Sequence, residues 1–175
     1  MTRFGGYTDT RAERILKELK EKSKKKLDDL FSRGKLPTFK NFKGETKGSF
    51  LLWSDKNTSW FTLFVIKLFF ESPIARWIGK EFIYEFAENK KGFGINLFDN
   101  KIFPKRFKFD TYFKKAYTDN KLCLALDYRN YKSLMFGLVD DVRKINKGVL
   151  LGRMYYKFPL GKRKFIGYFS LCALK

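Results

Sequence analysis

The run Val149–Tyr156 combines an arginine with tyrosines in an apolar setting. Alternation along a strand would place Leu151, Arg153 and Tyr155 on one face. If that face points into a cavity, the Arg153 guanidinium could bind a ligand carboxylate or phosphate through two nitrogens. The alternative is an arginine that faces outward or pairs structurally with an acidic side chain. The candidates for that acidic partner are Asp127, Asp140 and Asp141.

A second candidate cluster lies where another apolar run ends. Asp127 and Tyr128 follow the sequence LCLAL and could meet Arg153 and Tyr155 in one apolar pocket. A buried carboxyl group tends to keep its proton, which is the condition for a general acid, unless an arginine keeps it ionised. Asp127 and Tyr128 are therefore the candidate catalytic residues for an isomerisation or cyclisation without a cofactor. The alternative is a structural Asp–Arg pair.

Three more side chains are candidates for orienting a bound molecule. Asn96 and Tyr168 lie among apolar residues of predicted strands, where hydrogen-bonded core positions are the alternative interpretation. Trp77 ends the segment from Trp60, an apolar helical stretch followed by a short connection, which is predicted to act as a lid or partition. The predicted ligand-binding set is Arg153, Tyr155, Tyr168, Asn96 and Trp77.

The composition excludes several classes of chemistry. The 175 residues include no histidine and two cysteines, which excludes the usual serine triads, histidine-ligated zinc and a cysteine-only metal site. Glycine-rich phosphate loops are absent from the sequence. We therefore expect neither a metal nor a cofactor. Cys123 and Cys172 lie in apolar runs and are expected to be core thiols, with a disulfide between neighbouring strands as the alternative.

The net charge of +20, from 38 basic and 18 acidic residues, has two interpretations. It could attract phosphate groups of nucleic acid or of an anionic membrane surface, or it could reflect the composition of an A/T-rich genome. In the run 105–115, Phe107 and Phe109 alternate with charged residues, as in a strand with rings inside and charges in water. That pattern argues against a platform that stacks nucleic-acid bases.

These residues must be positioned by a helix followed by strands. Residues 1–35 carry an amphipathic helix of about six turns that ends at Gly34. Residues 36–175 form a single unit, in which a two-residue period predicts seven or eight antiparallel up-and-down strands, enough to close a small barrel. The predicted turns are Asn89–Gly92, Asp99–Lys101, Thr118–Asn120, Asp140–Asp141, Asn146–Gly148 and Pro159–Gly161.

Several short stretches resemble the lipocalin-like (calycin-type) domains of uncharacterised proteins that carry Gly-x-Trp-x-Gly near the first strand. The stretches are Gly44–Gly48, with Thr46 at its centre, then GKEF, GFGIN, LALDY and the closing pair VLLGRMYY and IGYFSL. The resemblance implies a mainly β fold with an N-terminal helix. It further implies a lipocalin-like barrel with a buried or lid helix, whose interior holds a ligand.

The function expected from this pattern is binding of a hydrophobic, anionic small molecule, such as a fatty acid, terpenoid or polyketide-like compound. The first alternative is a cofactor-independent isomerase or cyclase that uses the same cavity. The second is a basic accessory module that binds nucleic acid or anionic membrane. We expect a cytoplasmic protein, because the first residues lack a secretory signal and the most apolar window is too short to span a membrane.

Overall fold

The computed structural model describes residues 10–38, 42–53, 76–83, 91–102, 104–133, 135–157 and 163–174. These ranges form two helices and eight strands. Their bounds are α1 Thr10–Lys20, α2 Lys24–Arg33, β1 Gly44–Trp53, β2 Arg76–Ile83, β3 Lys91–Asp99, β4 Lys105–Lys115, β5 Leu122–Asp127, β6 Leu138–Asn146, β7 Val149–Lys157 and β8 Arg163–Ala173. Of the predicted lid, residues 60–77, only Arg76 and Trp77 belong to the described residues, and the predicted turn at 159–161 lies outside them.

The strands form a closed antiparallel barrel in which each strand pairs with the next along the chain. Strand β1 also pairs with β8, so the sheet closes on itself. The predicted mainly β, up-and-down barrel is therefore confirmed. Turns at Thr118–Asp119 and Lys147–Gly148 fall where turn residues were expected. Gly148 adopts a φ of 70°, a left-handed conformation that glycine tolerates best.

Strand side chains alternate between two buried clusters, one on each face of the barrel wall. The interior cluster lies inside the barrel, and the outer cluster lies between the wall and the two helices. The fully or nearly buried members of the interior cluster include Trp77, Phe82, Phe98, Phe109, Leu124, Leu126, Tyr128, Val142, Leu150, Met154, Phe169 and Leu171. Those of the outer cluster include Leu16, Leu19, Leu27, Phe31, Cys123, Val149, Leu151, Tyr168 and Cys172.

The amphipathic segment near the N-terminus forms two helices where the sequence predicted one. Ser23 begins α2 as its N-cap, because its hydroxyl accepts a hydrogen bond from the backbone N–H of Lys26 at 3.4 Å. Leu27 and Phe31, four residues apart, place one face of α2 against the barrel. Neither of these two helices of the described chain has the length and apolar character needed to cross a membrane.

The prediction of a turn at Asp140–Asp141 is wrong. Both residues lie within β6 and are almost completely buried. Aspartate is uncommon in buried strands because burying its charge is costly without a partner. Each carboxylate here faces a lysine, Lys80 for Asp140 and Lys114 for Asp141. These compensating cations allow β6 to continue where the composition indicated a break.

Candidate functional site

A lysine lies inside the barrel, with its side chain 5% exposed. Lys80 belongs to β2, and a register shift against β3 between Trp77 and Gly79 leaves Ile78 as an extra residue. This bulge changes the alternation, so Trp77 and Lys80 both point inward although they are three residues apart. Glycine is required at position 79, because a Cβ there would lie 1.9 Å from the Thr46 carbonyl oxygen. The bulge therefore brings a cation and an indole ring together in the interior.

Polar partners hold the Lys80 ammonium group on three sides. It donates hydrogen bonds to the Asn96 Oδ1, at 2.7 Å, and to the Tyr128 hydroxyl oxygen. The Asp140 Oδ2 lies 3.8 Å from the Lys80 Nζ and forms a buried ion pair with it. These partners come from strands β3 and β6 and from the residue that follows β5. Three different parts of the barrel wall thus converge on the nitrogen atom of Lys80.

Four aromatic rings surround the same nitrogen. The centroids of Trp77, Phe109, Tyr128 and Phe169 lie 5.5, 5.0, 5.2 and 5.1 Å from the Lys80 Nζ. Ring faces attract a cation and compensate part of its lost hydration. Three of the rings pack on glycines, where a Cβ would come within 2.4 Å of the ring. These pairs are Gly48 with Trp77, Gly94 with Phe109 and Gly152 with Phe169.

The Asn96 amide is fixed in one orientation by its neighbours. Its Nδ2 donates to the Phe107 carbonyl oxygen at 2.9 Å and to the Tyr128 hydroxyl oxygen at 3.2 Å. Its Oδ1 accepts from the Trp77 Nε1 at 3.1 Å as well as from Lys80. Phe107 lies at a bulge with a φ of 57°, which turns its carbonyl toward the amide. Asn96 therefore orients both Lys80 and Tyr128.

Burial shifts all three ionisable groups of this cluster toward their neutral forms. Desolvation lowers the pKa of Lys80 and raises that of Asp140, while the attraction between the two opposes both shifts. The neighbouring carboxylates of Asp141 and Asp127 raise the pKa of Asp140 further, and Lys114 lowers it. Desolvation also raises the pKa of Tyr128 well above its ordinary value. Burial therefore opposes the charged, ammonium–carboxylate form of the Lys80–Asp140 pair.

Two buried polar atoms beside this cluster have no hydrogen-bond partner among the described residues. They are the Asp140 Oδ1 and the Thr111 Oγ1. Both residues pair in register with Leu126, Thr111 from β4 and Asp140 from β6, so they flank it on neighbouring strands. Buried polar atoms are normally satisfied, and exceptions often mark functional positions. This part of the wall could accommodate one further polar group of a guest molecule.

The lysine, asparagine, tyrosine and aspartate described above, Lys80, Asn96, Tyr128 and Asp140, are called the interior polar cluster below. Of the predicted site residues, Asn96, Trp77 and Tyr128 belong to it or contact it. Sequence reasoning missed Lys80 and assigned Asp140 to a turn. The alternation that places Phe82 in the core also places Lys80 on the core side of β2, and that signal could have identified it.

Three predicted ligand residues lie outside the barrel, beneath α2. Arg153 forms an ion pair with Asp28 at 2.8 Å, and the Tyr168 hydroxyl donates a hydrogen bond to the same carboxylate. The Arg153 guanidinium also lies 5.4 Å from the centre of the Phe31 ring and 5.9 Å from that of Tyr155. The structure therefore separates Arg153, Tyr155 and Tyr168 from Asn96 and Trp77. The contacts of Arg153 and Tyr168 attach α2 to the barrel, and Tyr155 packs beside Arg153.

The predicted catalytic pair is also divided between the two faces of the wall. Tyr128 points inward, whereas Asp127 points outward and binds Arg129 through contacts of 2.6 and 2.9 Å. Asp127 accepts a further hydrogen bond from the Tyr112 hydroxyl at 2.7 Å. Burial raises the pKa of Asp127, but these hydrogen bonds outweigh burial and lower it. Asp127 and Arg153 therefore do not form the single polar cluster that the sequence predicted.

Comparisons with known proteins inform the fold. No protein-family model matches the sequence, and a search of curated proteins gives no match. The structure is similar to a crystal structure of a protein from Thermomonospora curvata, with a TM-score of 0.52 and 16% sequence identity. The similarity covers 95% of this chain and 100% of that one. At this identity the comparison shows a shared fold, which is consistent with a lipocalin-like barrel.

Proposed function

We propose that the protein binds a hydrophobic small molecule inside the barrel and holds its polar, oxygen-bearing end at Lys80. The observation that carries this proposal is the buried ammonium group, which has oriented hydrogen-bond partners and four rings around it. Ligand sites in proteins typically combine an apolar lining with a few convergent polar groups. The interior polar cluster and the rings together have this composition.

An anionic end is the first ligand chemistry to test. Lys80 and Asp140 compensate each other, so a carboxylate would be neutralised best when Asp140 holds a proton and Lys80 keeps its charge. Burial favours that state of Asp140, because it raises the pKa of this carboxyl group. A protonated Asp140 would also donate a hydrogen bond to the incoming carboxylate. The site would thus take up a fatty-acid-like anion together with a proton.

The aromatic residues would hold the apolar part of the ligand. Trp77, Phe109 and Phe169 contribute large ring surfaces, and each ring rests on a glycine of the neighbouring strand. Burying an alkyl chain against such rings stabilises a complex by roughly 0.8 kcal/mol per methylene group. A ligand with a chain of eight or more carbons would therefore gain most of its affinity from these rings. Lys80 and its partners would select the polar end.

A fluorescent fatty acid, dansylaminoundecanoic acid, tests this proposal. We expect its emission to rise on binding the wild-type protein, and decanoate to displace it. Lys80→Met should weaken binding at least about 10-fold, because a charge-assisted hydrogen bond contributes roughly 1.5–3 kcal/mol. Lys108→Met, on an exposed position of β4, is the matched control and should bind as the wild type does. Equal binding by the two variants would contradict the proposal.

A further inference from the structure

We infer that Lys80 forms a reversible Schiff base with a hydrophobic aldehyde or ketone held inside the barrel. The inference rests on the proposed function and names the class of its ligand, a carbonyl compound. A lysine nitrogen reacts with a carbonyl when it is held close to it, unprotonated and shielded from water. The interior polar cluster holds a single lysine nitrogen in a fixed position, buried in a part of the barrel lined by rings, where burial favours its neutral form.

The partners of Lys80 suit each stage of this reaction. The Asn96 Oδ1 accepts a hydrogen bond from the Lys80 nitrogen at 2.7 Å, which fixes the position of the nucleophile. The Tyr128 hydroxyl oxygen accepts from Lys80 and from the Asn96 Nδ2. Its own hydrogen has a long 3.5 Å contact with the Asn96 Oδ1. That hydrogen is therefore well placed to be donated to a ligand carbonyl oxygen instead.

The bonds and protons balance without any further reagent. The neutral amine attacks the carbonyl carbon, and a proton moves from nitrogen to oxygen to give a carbinolamine. The Asp140 carboxyl then donates its proton to the hydroxyl group, which leaves as water while a carbon–nitrogen double bond forms. The products are a protonated imine, one water molecule and the Asp140 carboxylate. The reaction is a condensation that releases water, so it needs neither an oxidant nor a reductant.

The surroundings would stabilise the product. The Asp140 Oδ2 lies 3.8 Å from the Lys80 Nζ and would act as the counter-ion of the positively charged imine. Its other oxygen, Oδ1, has no partner among the described residues and is free to accept a hydrogen bond formed during the reaction. The rings at 5.0–5.5 Å would attract the delocalised cation as they attract the ammonium group.

The protonation of Lys80 supports the same chemistry. Burial lowers the pKa of Lys80 to about 8, against an ordinary value of 10.5. At pH 7 this corresponds to a neutral fraction of about a tenth, compared with less than about a thousandth for an exposed lysine. Surface lysines of this basic protein would therefore react much more slowly with a carbonyl at neutral pH. The difference makes selective reaction at one position measurable.

The experiment uses decanal with sodium cyanoborohydride, which reduces an imine to a stable secondary amine. The wild-type protein is digested after brief treatment, and mass spectrometry maps the decyl groups. We expect Lys80 to be modified at least 10-fold faster than any other lysine. Lys80→Arg keeps a positive charge but cannot form the imine, so its digest should show only slow surface labelling. Lys108→Met should leave the modification of Lys80 unchanged.

Displacement of the fluorescent fatty acid by decanol and decanoate separates the possible failures. If these compounds bind the wild-type protein but decanal gives no preferential modification of Lys80, the Schiff-base inference is overturned and the proposed function stands. If the fluorescent fatty acid does not bind the wild-type protein and Lys80 is not preferentially modified, both the proposed function and the Schiff-base inference fail. The mapping is done on the wild-type protein, so its outcome does not depend on whether a variant folds.

Discussion

Lys80 illustrates how a barrel interior can hold a charge. A lone ammonium group in an apolar interior would be strongly disfavoured, and a paired one is retained only when its remaining hydrogens are also satisfied. The Lys80 ammonium group donates hydrogen bonds to the Asn96 and Tyr128 oxygens and forms an ion pair with the Asp140 carboxylate. Burial still shifts both pKa values toward the neutral forms, so the ion pair compensates the desolvation only in part. We therefore expect the protonation of this pair to change when a polar or charged group of a ligand binds beside it.

The protonation of Asp140 can be tested through stability. Burial raises its pKa to about 7 from an ordinary value of 3.8. Between these values the folded chain keeps a proton that the unfolded chain has released, so the unfolding free energy falls as pH rises. Relative to Asp140→Asn, the wild type should lose up to about 1.4 kcal/mol per pH unit between about pH 4 and pH 7. Urea denaturation at several pH values measures this difference.

Removal of the partner cation supplies the control for this prediction. Lys80 lowers the pKa of Asp140, with Lys114 acting in the same direction and Asp141 and Asp127 opposing it. Lys80→Met should therefore raise the pKa of Asp140 and move the upper end of the window to higher pH. A difference between wild type and Asp140→Asn that stays constant over the whole range would show that Asp140 is ionised throughout.

Some residues of the interior polar cluster could be predicted from the sequence and others could not, for physical reasons. Asn96 and Tyr128 were recognised because each is a polar residue in an apolar strand context. Asp140 was assigned to a turn, because two adjacent aspartates usually interrupt a strand and only the folded structure reveals their lysine partners. Arg153 was expected inside, but alternation alone does not say which face of a strand looks inward. Helix α2 covers the outer face of β7, and Arg153 lies on that face, where it pairs with Asp28.

The helices attach to the barrel through a small number of contacts on its outer wall. Asp28 of α2 accepts contacts from both Arg153 and Tyr168. At the end of α2, Arg143 donates to the Phe31 carbonyl oxygen at 3.2 Å and pairs with Asp119. Two basic side chains of the sheet therefore fix α2 at two points. The alternation and turn residues predicted the strands well, whereas this attachment depends on contacts distant in sequence.

Thiol labelling tests the role of Arg153 in this attachment. Cys123 and Cys172 are thiols outside any disulfide and are buried in the outer cluster, and burial raises the pKa of Cys123 to about 12. Arg153→Met removes the ion pair with Asp28 and should weaken helix docking by about 1.5–3 kcal/mol. The cysteines should then react with Ellman's reagent about 10- to 100-fold faster, because local opening becomes more frequent.

A second arginine gives the comparison. Arg76 pairs with Asp99 at 2.6 Å on an exposed part of the barrel, and Arg76→Met should leave the labelling rate unchanged. If Arg153→Met leaves the labelling rate unchanged but abolishes binding of the fluorescent fatty acid, Arg153 acts as a ligand residue. That outcome would restore its original sequence assignment and contradict a purely structural role.

The complete chain combines an apolar interior with a strongly basic composition. In the run 105–115 the rings of Phe107, Phe109 and Phe113 pack with the interior cluster. They are therefore turned away from solvent, as the alternation of this run predicted for Phe107 and Phe109. Contact with nucleic acid or an anionic membrane would have to depend on the lysines and arginines. Fold similarity does not distinguish these partners, because function resides in sites rather than in the barrel itself.

The charge of +20 gives a prediction about partners. The protein should bind heparin and single-stranded DNA of any sequence at low salt, because lysines release counterions from phosphate or sulfate groups. Affinity should fall linearly with salt concentration on a double-logarithmic plot, and fluorescence anisotropy with two unrelated oligonucleotides measures this. A marked sequence preference, or binding that resists salt, would contradict an interaction based on charge alone.

The extra residue at Ile78 has a consequence for recognising related proteins. In a strand with simple alternation, two side chains that both face inward are separated by two positions, whereas the extra residue separates Trp77 and Lys80 by three. The three-residue spacing is therefore a mark of the bulge itself. Homologues that keep this chemistry should show tryptophan, any residue, glycine, lysine, any residue and phenylalanine in that order, as Trp77–Phe82 does here. This six-residue pattern offers a criterion for searching genomes when overall similarity is too low to be detected.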